Sequence, residues 1–220
     1  MRYTLAPLKI MAIFSVVGCA APASDRTVEI SPMAVESYTL YSNPDSVVHV
    51  ARGLKNENGG FELLRYDVDV SRPEDARQRS VSSEPMGQQQ LEGRRAGLQG
   101  EYGWTPFKGD AVLFIQIRPA GSETELDVMS KRQEVEDKLN SVFEREKLGE
   151  WFAGDMGPGG GNILYSVYQV DSAMQAILGV LRQFKVEGIT LIGRRVLLSD
   201  QDWFYEVIYP TNYSGDFNTM

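Results

Sequence analysis

Cysteine and histidine are nearly absent: the 220 residues contain one of each, Cys19 and His49. One cysteine cannot close an intramolecular disulfide or fill a cysteine-rich zinc site, and one histidine is too few for a multi-histidine metal centre. Any serine triad would have to use His49, whose neighbours are valines, and no Gly-x-Ser-x-Gly elbow accompanies it. His49 therefore reads as a structural or surface residue. Basic side chains are outnumbered, 22 against 30, for a formal charge of −8. An acidic exterior repels phosphate backbones, so nucleic acid is not an expected partner. The apolar run near the start, Ile10 to Val17, has eight residues, where a membrane-crossing helix needs roughly 20.

That run belongs to a different kind of segment. Arg2 and Lys9 supply a positive start, the apolar stretch follows, and the small residue Gly18 precedes Cys19, so residues 1–18 read as an export signal that is removed. Val16-Val17-Gly18-Cys19 resembles the lipobox of bacterial lipoproteins. The resemblance covers the signal alone. It implies that the Cys19 thiol carries a diacylglycerol unit and becomes the new N-terminus, leaving the folded part without a thiol nucleophile. A competing cut after Ala21-Pro22-Ala23, a small-x-small pattern, would release the same domain as a soluble periplasmic or secreted protein. Loss of the signal removes Arg2 and Lys9 and no acid, leaving 20 basic against 30 acidic residues, or −10. Membrane contact is then expected through the lipid, since several acyl chains anchor stably where one does not. Ala20 is not the aspartate that resembles an inner-membrane retention signal, which favours the outer membrane over the inner.

Residues 19–35, small and polar with two prolines, suit an extended tether. Residues 36–70 read as a small α+β segment. Tyr38 and Leu40 open it as a strand, and Asn43-Pro44 starts a helix carrying Val47, Val50, Ala51 and Leu54. A β-branched strand over Val47 to Ala51 competes with that helix. Phe61 to Val70 alternates as a strand. Residues 71–109 hold few apolar side chains and read as a polar linker, with a short helix near Gln88 to Arg95.

Residues 110–209 are more regular. A strand over Ala111 to Arg118 precedes a capping box at Ser122 to Glu125 and a helix to about Lys147. Leu126, Met129, Val135, Leu139, Val142 and Phe143 form its apolar side. Strands over 149–154 and 163–170 follow. Asp171 or Ser172 then caps a helix with Met174, Ile177, Leu178, Leu181 and Phe184 on one face, and a strand over 189–198 closes the unit. This β-α-β-β-α-β order resembles a ferredoxin-like α+β sandwich, two helices on one face of a four-stranded antiparallel sheet. Trp203 to Tyr209 reads as an added edge strand and 210–220 as a loose tail.

Chemistry is sparse. The glycine-rich run Gly154 to Asn162 enters a strand, contains no lysine and fits no nucleotide fingerprint, so it reads as a hairpin turn. The pairs Asp67/Asp69 and Asp200/Asp202 lack the spacing of a calcium loop. The acids Glu134, Glu136, Asp137, Glu144 and Glu146 alternate with bases as an exposed helix face. No catalytic set, metal or cofactor is expected. A ligand or partner surface is sought instead at Trp151, Asp155, Asn162, Trp203 and Tyr205, where aromatic rings and polar groups gather. The sheet face away from the helices, with Phe114, Leu164, Tyr168 and Ile192, needs a cover: the N-terminal piece, a second copy or a partner. The expected function is a non-catalytic, protein-binding envelope lipoprotein, for instance an immunity or inhibitor protein. The alternative is a periplasmic carboxylate-dependent enzyme or a binding protein for a glycan or small ligand.

Overall fold

A computed structural model describes residues 34–71 and 75–218. Cys19, the signal and all but the last two residues of the tether lie outside them. The described chain is α+β, with two antiparallel five-stranded sheets and three α-helices. The first sheet has the order β1-β2-β3-β4-β10, from strands Val35–Tyr41, Val47–Lys55, Phe61–Asp69, Asp75–Met86 and Gly215–Asn218. The second has the order β6-β7-β5-β8-β9, from Gly149–Gly157, Gly160–Val167, Ala111–Ile117, Thr190–Leu197 and Trp203–Tyr209. Helix α1 spans Gln88–Leu98, α2 Glu125–Glu146 and α3 Val170–Gln183.

The layers follow from where the apolar side chains point. Leu113, Ile115, Tyr165 and Ile192 of the second sheet pack under Leu139, Phe143, Ile177 and Leu181 of α2 and α3. Its opposite face, with Phe114, Leu191 and Val207, meets Val48, Val50, Leu64 and Val68 of the first sheet. The outer face of the first sheet is covered by α1 through Leu91 and Leu98 against Tyr38, Ala51 and Leu63. The result is helices, sheet, sheet and helix, with three apolar seams.

Several expectations change. Residues 47–55 form β2, not a helix, because their β-branched side chains are paired residue for residue with β3, from Val47↔Asp69 to Lys55↔Phe61. The polar stretch 71–109 contains β4 and α1. β4 buries little side chain, but its backbone is paired to β3 along most of its length and to β10 at its start, so ladder hydrogen bonds hold what apolar burial would not. The tail is pinned as β10, where Phe217 is fully buried with its ring 5.0 Å from Phe114 and 5.9 Å from Tyr205.

Within the second sheet's unit the corrections are local. The cap of α2 is Thr124 with Asp127, two residues later than the box at Ser122, because the Glu123 carboxylate instead accepts the Ala120 amide and pairs with Lys131. Leu126 and Met129 consequently face solvent, and Val128 takes the buried position. Helix α3 starts at Val170 after Gln169, ahead of the expected caps. Ile192 points to the helix side, and Tyr168 is exposed. Phe114 lies in the seam between the sheets and Leu164 packs against it, so the N-terminal sheet is the cover that face required.

Phe217 makes the tail testable. Phe217→Ala should lower unfolding free energy by about 3–5 kcal/mol, the usual cost of deleting a buried ring, read as a lower urea midpoint. An unchanged midpoint would remove β10 from the fold.

Candidate functional site

Three polar or aromatic groupings stand out. The first lies buried between the sheets, on strands β1, β2, β3, β8 and β9. Glu206 has no solvent exposure; its carboxylate accepts from the Tyr41 hydroxyl at 2.8 Å, from the Tyr66 hydroxyl, and from Arg194 at 3.0 Å. Arg194 also donates to the Tyr41 oxygen at 3.0 Å and reaches Glu36 at 3.2 Å, and Glu36 accepts from buried Arg52 at 3.1 Å. Two carboxylates thus face two guanidiniums, with two phenols filling the remaining acceptor positions. Burial drives the Tyr41 and Tyr66 hydroxyls well above their ordinary range, so both keep the protons they donate. Burial also pushes Glu36 upward, but Arg194 and Arg52 more than offset it and hold the carboxyl at about 2. This constellation ties the sheets together. Its two guanidiniums balance its two carboxylates, which gives it a plain structural role, while Nε and Nη1 of Arg52 and Nε of Arg194 have no hydrogen-bond partner among the described residues.

The second grouping sits where α2 crosses the β6–β7 hairpin. The glycine-rich run is a hairpin whose turn is Pro158-Gly159, with Gly157 paired to Gly160. At Gly160, φ is +127°, and a Cβ there would stand 2.1 Å from the Ile117 carbonyl oxygen. Gly161 leaves room for the Arg132 side chain, whose Cβ would lie 2.8 Å from any added methyl. Arg132 donates to the Asn162 carbonyl at 3.0 Å and pairs with Glu136. The Asn162 amide donates to Asp155 at 2.7 Å and accepts from Gln116 at 3.1 Å. Asp155 and Asn162 therefore meet, but Asn162 is fully buried and occupied. Glu136, expected on the solvated helix face, is buried as well, and that burial raises its carboxyl against the opposing pull of Arg132.

The third grouping is exposed. Among the described residues β6 is an edge strand, hydrogen-bonded only to β7, and Trp151 and Phe152 on it are 49% and 53% exposed, with nearby Tyr168 at 66%. The strand slips register between Trp151 and Ala153, a bulge that turns these two neighbouring rings outward. Trp203 is partly exposed, and the Arg195 guanidinium lies 5.9 Å from both its ring and that of Phe152. Tyr205 is buried against Phe114 and Phe217 and leaves the surface set. The cleft that Trp151 lines does not include Asp155.

His49 is exposed, with Nδ1 2.6 Å from Asp67 on the neighbouring strand. Asp69 accepts from Ser71 and Arg79, which makes these acids strand-end partners. No group of three or more acidic, histidine or cysteine side chains is placed to hold a metal among the described residues. No family model matches the chain, and neither a curated protein nor a solved structure is similar to it.

Sequence reasoning missed the inter-sheet network, although two signals were present: Glu206 interrupts the apolar strand WFYEVIY, and Arg52 follows VVHVA. A charge inside such a run predicts a buried partner. Glu206→Ala should cost about 3–5 kcal/mol, because it leaves Arg194 without its buried carboxylate; a thermal or urea melt within error of wild type would refute that. Glu36 adds a pH signature. Its carboxyl titrates near 4.5 unfolded and about 2 folded, so its stabilisation is complete above the unfolded value and vanishes as pH falls through the folded one. The stability gap between wild type and Glu36→Gln should be flat above about pH 5 and close as the pH falls toward 2. A gap that widens on acidification would contradict the assignment.

Proposed function

We propose that this chain is an exported, lipid-anchored binding protein of the bacterial envelope, held at Cys19 on the outer membrane, that captures another protein on the edge of β6. The address rests on the signal and on Val16-Val17-Gly18-Cys19. The observation that carries the binding reading is the edge strand itself. Among the described residues no strand pairs with its outer side, which leaves that side to an added strand, and two large rings project beside it. The first sheet takes up the broad face of the second, and the rings of Trp151 and Phe152 stand exposed at this edge with Tyr168 nearby. The proposal includes a ferredoxin-like reading of residues 111–197: the elements run β5-α2-β6-β7-α3-β8, and β5 lies between β7 and β8 in the sheet. An immunity or inhibitor protein is the form that suits an acidic chain of this kind, since a net charge of −8 favours basic partners.

Fatty-acid labelling should mark the wild type and spare Cys19→Ala; equal labelling of both would remove the lipid anchor. In detergent-solubilised envelopes, the full-length protein should retain a stoichiometric partner that Phe152→Ala loses. Recovery of no such partner, or equal recovery by the variant, would count against the edge as a docking site.

A further inference from the structure

We infer that the cleft between the C-terminal end of α2 and β6 receives a cationic side chain, guanidinium or ammonium, presented by the partner protein. The inference rests on the protein-binding reading above and names the chemistry of the contact. The cleft has a volume of about 510 Å³. Its floor is shut: the Phe143 and Tyr165 rings pack at 4.2 Å, and the Tyr165 hydroxyl is spent on the Asn140 side chain at 2.6 Å. Its walls are the exposed rings of Trp151 and Tyr168.

Three features of this cleft favour positive charge. The first is the rings. Elsewhere the chain places its own cations over aromatic faces: Arg95 at 5.6 Å from Tyr38, Lys55 at 5.9 Å from Phe61, and Arg195 over Phe152 and Trp203. Among the described residues, Trp151 and Tyr168 have no such cation, and their electron-rich faces are open to one from outside. The second is the rim, where the carboxylates of Glu144 and Glu150 outnumber the ammonium of Lys147. Tyr168 donates its hydroxyl to Glu150 at 3.4 Å, which sets that carboxylate beside the ring. The third is the helix end. α2 terminates at Lys147, in the left-handed region with φ +53°, and the negative pole of a 22-residue helix points into this corner. The turn depends on Gly149, where a Cβ would stand 2.0 Å from the Ser166 carbonyl oxygen.

Together these terms disfavour an anion such as a phosphate. A neutral saccharide could stack on the same two rings, but the carboxylates would then accept hydroxyl hydrogen bonds with little dependence on salt. A cation uses rings, rim and helix pole at once, and its affinity falls as salt rises.

The test titrates the full-length protein in detergent with two probes, acetyl-Gly-Arg-Gly-Arg-Gly-amide and its citrulline twin, measuring affinity by calorimetry for every variant and following the Trp151 indole resonance where Trp151 is present. The arginine peptide should shift that resonance and the citrulline peptide should not. Glu144→Gln with Glu150→Gln should weaken binding by about tenfold, or ~1.4 kcal/mol; Trp151→Ala should abolish it and Trp151→Phe largely restore it. All three positions are exposed, and an unchanged melting temperature would show each variant folded. Equal binding of the citrulline peptide, binding indifferent to the carboxylates, or stronger binding of a neutral disaccharide at Trp151 would overturn the proposal. Capture from solubilised envelopes separates the two levels. A partner kept by the Glu144→Gln, Glu150→Gln protein but lost by Phe152→Ala would sink the cation cleft and leave the protein-binding reading standing. Loss with both variants supports the cleft.

Discussion

A carboxylate with no solvent exposure must find its partners inside the protein, and Glu206 finds Arg194 on the adjacent strand and Tyr41 and Tyr66 on strands distant in sequence. Tyr41 and Tyr66 come from the first sheet and Arg194 from the second, so the ion network can be satisfied only when the two sheets are stacked in this one arrangement. Hydrophobic burial in the same seam, through Val48, Leu64, Phe204 and Phe217, supplies most of the driving force but tolerates sliding. The network fixes the register. Glu36 and Arg52 extend the same constraint to β1 and β2, which is why the N-terminal piece is an integral cover of the second sheet.

The location of the exposed surface follows from that cover. With one face of the second sheet under α2 and α3 and the other under the first sheet, its edges are where backbone groups remain free. The β9 edge is partly occupied, since Gln78 of β4 accepts the Val207 amide at 2.7 Å. Among the described residues β6 has no comparable cap, and a bulge there turns Trp151 and Phe152 outward. The cleft beside it inherits the charge of the helix end and of Glu144 and Glu150. Fold and candidate site are therefore consequences of one packing decision.

Much of the second sheet was readable because its signals are local. The apolar runs of β5 and β9 and the one-sided helix α3 sit close to their expected limits. β4 and β10 were not readable: a strand of arginine, glutamine and serine is stabilised by neighbours 8 to 25 and more than 130 residues away, and no short window of sequence contains them all. The network was half legible: Glu206 and Arg52 stand out as charges in apolar runs, but their partners Glu36 and Arg194 and the pairing between sheets do not show in any one segment. Of the residues sought for a ligand or partner surface, Trp151 and Trp203 are exposed while Asn162 and Tyr205 are buried, because alternation along a strand shows which residues share a face, not which face another part of the chain will bury.

The central claim is that β6 is the edge a partner occupies. Hydrogen–deuterium exchange on the full-length protein, free and in complex with the protein it retains from solubilised envelopes, tests this most directly. The account predicts fast exchange of amides in Gly149–Gly157 in the free protein and strong protection there in the complex, with the first sheet unchanged. Protection confined to the first sheet and α1, with β6 exchanging equally in both states, would contradict it.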